Sequence, residues 1–119
     1  MITIILDTDF LLNCLRKKLR IEEELTRILD QPYQIHLLSN TLKELQGKKE
    51  GKLAVTYAKR YIIIETHQEG AFDKAVTNYP HTYVATQDKA LKEKLKKEDF
   101  GIITIRQQNH LIIEHVLRN

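Results

Sequence analysis

Apolar residues along this chain fall into short runs whose spacing alternates between two periods. Ile2 to Leu6, Gln34 to Leu38, Tyr61 to Ile64, Thr82 to Thr86 and Ile102 to Ile105 are compact stretches rich in β-branched residues, and they predict strands. Between them the apolar positions spread to helical spacing. Phe10 to Lys18 carries apolar residues at 10, 11, 12, 14 and 15, and Ile21, Leu25, Ile28 and Leu29 mark a second helix stopped by Gln31-Pro32. Thr41-Leu42-Lys43-Glu44 has the spacing of a capping box, which predicts a helix start at that point. Leu53 to Lys59 reads as helix. Phe72, Ala75, Val76 and Tyr79 share one face of a short helix ended by Pro80, and Lys89 to Lys97 forms the next. Gly47 and Gly51, set among lysines, predict a loop or a break. The apolar tail from His110 to Leu117 fits a strand or a short helix.

Strands separated by helices predict a parallel sheet covered on both faces. The expected architecture is α/β: a three-layer α/β/α sandwich around a central, mostly parallel sheet of about five strands. At 119 residues the chain fits a single domain, 1–119, with a core large enough to need neither disulfides nor a structural metal.

Composition narrows the picture little. Hydrophobic content of 42% and charge of 29% suit a globular domain. No apolar run reaches the roughly 20 residues of a membrane span, and no signal-peptide pattern opens the chain, so a cytoplasmic protein without membrane contact is expected. Cys14 is the sole cysteine, which rules out an internal disulfide and reads as a small buried hydrophobe. The five histidines lack zinc-ligand spacing, and no Walker loop or dinucleotide fingerprint is present. Net charge is +3, with basic residues gathered at 16–20, 48–52 and 89–97. The acidic residues considered next lie outside those clusters.

Asp7 follows the first strand, and Asp88 follows the strand ending at Thr86. Glu44 and Asp73 lie in the first turns of helices beside the same inferred sheet edge. Each acid alone reads as a cap or a first-turn carboxylate. Together they read differently. Two carboxylates about 4 Å apart repel by roughly 4 kcal/mol at an effective dielectric near 20, so a fold that gathers several must raise their pKa values or bind a cation. Oxygen-only donors suit Mg²⁺ or Mn²⁺, ions that assist phosphoryl transfer. On a chain with a basic surface, the matching substrate is a phosphodiester. If the acids converge, Asp88→Asn should raise thermal stability in chelator; if they are caps, stability should stay level.

Those residues also carry a family resemblance. Ile5-Leu6-Asp7-Thr8 with Phe10-Leu11-Leu12, Leu38-Ser39 with Glu44-Leu45, and Val84-Ala85-Thr86-Gln87-Asp88 resemble the motifs of PIN-domain ribonucleases. The closing Ile105-Arg106-Gln107-Gln108-Asn109-His110-Leu111 and the stretch His67-Gln68-Glu69-Gly70 are similar to the ribosomal-RNA-processing branch of archaea and eukaryotes. The resemblance implies Mg²⁺- or Mn²⁺-dependent endoribonuclease chemistry, with Asp7, Glu44, Asp73 and Asp88 as catalytic metal ligands. Thr86 would support the site, with Thr8 and Asp9 nearby. Asp9 stands where the family usually has Asn, Lys74 where a second Asp is common, and Gln87 where Asn is common. The helix after Asp73 is short.

RNA is the expected partner, a ribosomal-RNA precursor under the resemblance, with Lys48, Lys49, Lys89, Lys92 and Arg106 as candidate RNA contacts. A homodimer or a protein partner stays open. Two rivals share the fold: the toxin of a toxin–antitoxin pair, and a catalytically silent PIN domain acting as an RNA- or protein-binding scaffold.

Overall fold

The computed structural model describes residues 1–66 and 71–118. The stretch 67–70, which contributed to the resemblance, lies outside the described residues. Strands β1 (Ile2–Leu6), β2 (Tyr33–Leu38), β3 (Ile62–Ile64), β4 (Thr82–Ala85), β5 (Phe100–Arg106) and β6 (His110–His115) form one sheet in the order β3-β2-β1-β4-β5-β6. Every neighbouring pair is parallel except β5 and β6. Helices α1 (Thr8–Arg16), α2 (Ile21–Ile28), α3 (Ser39–Gln46), α4 (Gly51–Ala58), α5 (Phe72–Ala75) and α6 (Lys89–Lys96) connect them, with a 3-10 turn at Val76–Asn78.

Alternation along the strands divides the core in two. Ile4 and Leu6 of β1, Ile35 and Leu37 of β2, and Ile103 and Ile105 of β5 pack with Phe10, Leu11, Ile21, Leu25, Leu45 and Ala54 from α1 to α4. Ile5, Leu38, Val84 and Ile102 turn to the other side, against Phe72 and Val76 and against Leu91 and Leu95 of α6. A period of two sends adjacent residues to opposite faces. Both faces are covered, as the three-layer expectation requires. No described helix is long and apolar enough to cross a membrane.

The sheet has six strands, one more than expected. The apolar tail becomes β6, which returns antiparallel to β5 with Arg106 opposite His110. The connection places Gln107 and Gln108 at φ 52° and 61°, with the Asn109 amide donating to the Arg106 carbonyl. That is a tight hairpin turn with two left-handed residues, a conformation usually announced by Asn-Gly. Gln-Gln hid it.

The helix after β2 also starts earlier than the Thr41 signal implies. It opens at Ser39 directly after Leu38. Thr41 is buried within it, its hydroxyl without a hydrogen-bond partner among the described residues. The capping box therefore does not form. Gly47 ends α3 and Gly51 begins α4, so the break lies between them. A Cβ on Gly51 would stand 1.6 Å from the Leu45 carbonyl oxygen. Glycine is what lets α4 close on α3, with Ala54 and Ala58 continuing its buried face.

Strand order reverses between β1 and β4: β2 and β3 extend one way from β1, β4 and β5 the other. Such a switch point leaves a crevice beyond the carboxyl ends of the strands, the common ligand position in open α/β sheets. Asp7 and Asp88 follow its two flanking strands.

Candidate active site

At that switch point a cavity of about 740 Å³ is lined by Asp7, Asp9, Glu44, Asp73 and Asp88, together with Asn13, Arg16, Lys48 and Gln87. Phe72 and Leu91 supply apolar wall. The acids anticipated from the sequence thus border one space, brought there by β1, α3, α5 and the β4–α6 connection.

Asp7 is the most constrained of them. Its amide donates to the Ala85 carbonyl at 2.9 Å, tying the end of β1 to β4. Its carboxylate Oδ2 accepts from the Thr86 hydroxyl at 2.7 Å. Burial pushes the Asp7 carboxyl up to about 6; the Thr86 hydrogen bond opposes that rise, and the negative charges of Asp9 and Glu44 add to it. Thr86 is itself fully buried and receives the Asp88 amide on its hydroxyl at 3.1 Å, so one side chain orients both acids.

Asp88 both caps and lines. Its Oδ1 accepts from the Leu91 amide at 3.1 Å, closing the first turn of α6, while the residue stays exposed at the cavity. Glu44 is also exposed, and Asp73 is half-buried in the single turn of α5. Thr8, the first residue of α1, is buried and its hydroxyl has no partner among the described residues; it does not line the cavity.

Three residues of the wall escaped the sequence reading. Asn13 and Arg16 follow Asp9 at intervals of four and seven, so α1 presents all three on one face, a spacing visible in the sequence. Gln87 was noted only as a change from Asn. Its amide oxygen accepts from the Ile105 amide at 2.7 Å and from the Thr104 hydroxyl, and its nitrogen donates to the Ile105 carbonyl at 3.4 Å. It pins the β4–α6 connection to β5.

The cations of the wall are Lys48 and Arg16, not Lys74. Lys74 is exposed and outside the cavity lining. Lys48 lines it instead, its Nζ 3.3 Å from Asp9 Oδ1. Arg16 binds Glu50 through two hydrogen bonds of 2.6 and 2.9 Å, fastening the α3–α4 connection to α1.

Among the described residues, no three His, Cys, Asp or Glu side chains are gathered tightly enough to hold an ion outright. The donor set still fits a hard divalent cation: carboxylate oxygens, one of them on the half-buried Asp7, which has no cation paired with it among the described residues. Mg²⁺ retains several waters and is commonly held by one or two carboxylates plus substrate phosphates, so a loose ring of acids is an adequate frame.

Of the candidate RNA contacts, Lys48, Lys49, Lys89 and Arg106 are exposed. Lys92 is only 12% exposed at its side chain, and its ammonium donates to Thr104 Oγ1 at 2.9 Å and Glu114 Oε1 at 3.1 Å. That bond joins α6 to β5 and β6.

Comparison with known proteins agrees with this geometry. A family model described as a PIN like domain matches residues 4–108. The chain belongs to the PIN-like domain family. Ribonuclease VapC4 of Methanocaldococcus jannaschii is 32% identical over 128 residues, covering 95% of this chain and 97% of that relative. Among solved structures, that of the PIN domain endonuclease Utp24 superposes with a TM-score of 0.84 at 23% identity, covering 97% of this chain and 92% of the other. The PIN fold thus accounts for nearly the whole chain.

Proposed function

We propose that this PIN domain is a divalent-metal-dependent endoribonuclease that hydrolyses RNA phosphodiester bonds. The observation that carries the reading is the set Asp7, Glu44, Asp73 and Asp88 around one cavity at the β1/β4 switch point. The similarity to a protein named a ribonuclease supports RNA as the substrate.

Asp7 is the fixed ligand for Mg²⁺ or Mn²⁺, held by Thr86, and Glu44, Asp73 and Asp88 complete the set. When bound, such a cation activates water and offsets charge on the phosphate. Asp9 is positioned to act from the outer ring through its pair with Lys48. Lys48, Lys49, Lys89 and Arg106 hold RNA phosphates, while Lys92 keeps its place between α6 and β6.

Two settings fit this chemistry: ribosomal-RNA processing on a precursor substrate, and action as a toxin with a cognate inhibitor. Growth arrest on expression favours the second. A homodimer or a protein partner is compatible with either.

Cleavage of a labelled RNA by wild type and Asp88→Asn, with Mn²⁺, Mg²⁺ or chelator, tests the reading. Metal-dependent cleavage that disappears in the variant supports it. Folded wild-type protein that binds RNA but neither cuts it nor binds a divalent cation would instead be a scaffold.

A further inference from the structure

Beside the acidic cavity lies a second cleft of about 630 Å³, lined by Gln46, Lys48, Lys49, Lys52, Thr56 and Lys59, with Gly51 and Val55 at its base. We propose that this cleft is the seat of the RNA strand flanking the scissile phosphate, with Lys49, Lys52 and Lys59 binding successive backbone phosphates and Lys48 marking the passage into the acidic site. The choice of RNA as occupant rests on the ribonuclease reading above.

The cleft follows from how α4 packs. Gly51, Ala54 and Ala58 form its buried face, and Gly51 allows contact with the Leu45 carbonyl. Turning that face inward leaves Lys52, Val55, Thr56 and Lys59 on one outward stripe, at intervals of three, four and seven. Small residues on one side thus fix the lysines on the other.

The charge there is uncompensated. No acidic residue lines the cleft. Glu50, the acid within this segment, is drawn toward α1 by both hydrogen bonds from Arg16. Among the described residues, Lys49, Lys52 and Lys59 have no ion-pair partner, whereas Lys92 and Lys96 of α6 are held by Glu114. The largest run of lysines in the sequence is therefore partly neutralised, whereas in the shorter run at 48–59 only Lys48 is paired, with Asp9 at the passage into the acidic cavity. Lys48 lines both spaces, so a polyanion in the cleft is led directly to the carboxylates.

Fluorescence anisotropy of a labelled unstructured single-stranded RNA, in chelator and across a salt series, reads this separately from cleavage. The comparison is wild type against Lys52→Gln/Lys59→Gln, with Lys94→Gln/Lys97→Gln on α6 as a variant of equal net charge. Each lost phosphate contact on single strands lowers the slope of log affinity on log salt by about 0.7, so the cleft variant should lose about 1.4 in slope and about 20-fold in affinity at ~0.1 M salt. The α6 variant should lose much less. Equal losses in both variants, or an unchanged slope in the cleft variant, would overturn the proposal. A polyglutamate probe that binds wild type and is lost in the cleft variant, with RNA binding intact, would also overturn it in favour of an acidic protein partner. Failure of the nuclease reading has a different signature: no metal-dependent cleavage by wild type, whatever the salt slopes.

Discussion

Replacing Asp7 by Asn should stabilise this protein when no divalent cation is present. The Asp7 carboxyl is raised from 3.8 to about 6, chiefly by burial. At about 1.4 kcal/mol per pH unit, its ionisation at neutral pH costs the fold about 3 kcal/mol. The sign follows from the direction of the shift. A raised carboxyl favours the folded state fully below the unfolded value near 3.8, and that contribution is lost as pH rises through about 6. Asn removes the charge yet keeps an oxygen that can accept from Thr86. In chelator at pH 7.5, Asp7→Asn should therefore raise the thermal midpoint by about 10 °C, taking roughly 4 °C per kcal/mol for a domain of this size. Below pH 4 the two melts should converge. Saturating Mn²⁺ should stabilise wild type and not the variant, because only a ligand bound to the folded state adds stability. The variant has to be followed by calorimetry or circular dichroism at several pH values. A midpoint difference that is absent at pH 7.5, or that persists unchanged at pH 4, would refute the placement of an unpaired, half-buried charge at Asp7.

The same titration should govern cation binding: by isothermal calorimetry, Mn²⁺ affinity should fall toward tenfold per pH unit below about 6, with proton release on binding appearing in buffers of different ionisation enthalpy. Gly51→Ala should lower stability by about 1–3 kcal/mol in urea melts, since the new Cβ meets a backbone carbonyl that cannot move without parting α3 from α4; an unchanged midpoint would contradict that packing. Gln107→Asn/Gln108→Gly should raise stability by about 1–2 kcal/mol by relieving two left-handed residues, and a loss in the same melts would mean the turn is of another type.

The sheet and its layers were legible because each strand carries the apolar alternation or run that its burial demands. What the residues could not disclose were features set by tertiary approach. Gln107-Gln108 gives no turn signal, so β6 stayed undecided between strand and helix; its antiparallel pairing with β5 decides it. Thr41 to Glu44 satisfies a capping pattern, yet Ser39 follows β2 so closely that the helix begins before the pattern does. The acidic set was legible from position after strands, while Asn13, Arg16 and Gln87 were missed because their part in the site is geometric. Lys92 misled for the opposite reason: a lysine in a basic run looks solvated until Glu114 on a distant strand is found beside it.

The expected electrostatic signature also moves to a different residue. Asp88→Asn should be close to neutral for stability, since Asp88 is exposed and its cap on Leu91 is one that Asn can supply. The electrostatic cost falls instead on Asp7, whose carboxyl is raised chiefly by burial and to a lesser degree by Asp9 and Glu44. There the fold gives the carboxylate no freedom to leave: the backbone bond to Ala85 fixes its position and Thr86 fixes its orientation. Asp88 is exposed but held by its cap on Leu91, Glu44 stands in solvent, and Asp73 sits on a single short turn. Under the proposed function, a cation entering this cavity would meet two held carboxylates, Asp7 and Asp88, and two more adaptable ones, Glu44 and Asp73. That division would let a loosely gathered set of acids bind selectively, because the energy released by neutralising Asp7 would be available only to a positive charge placed at the β1/β4 crevice.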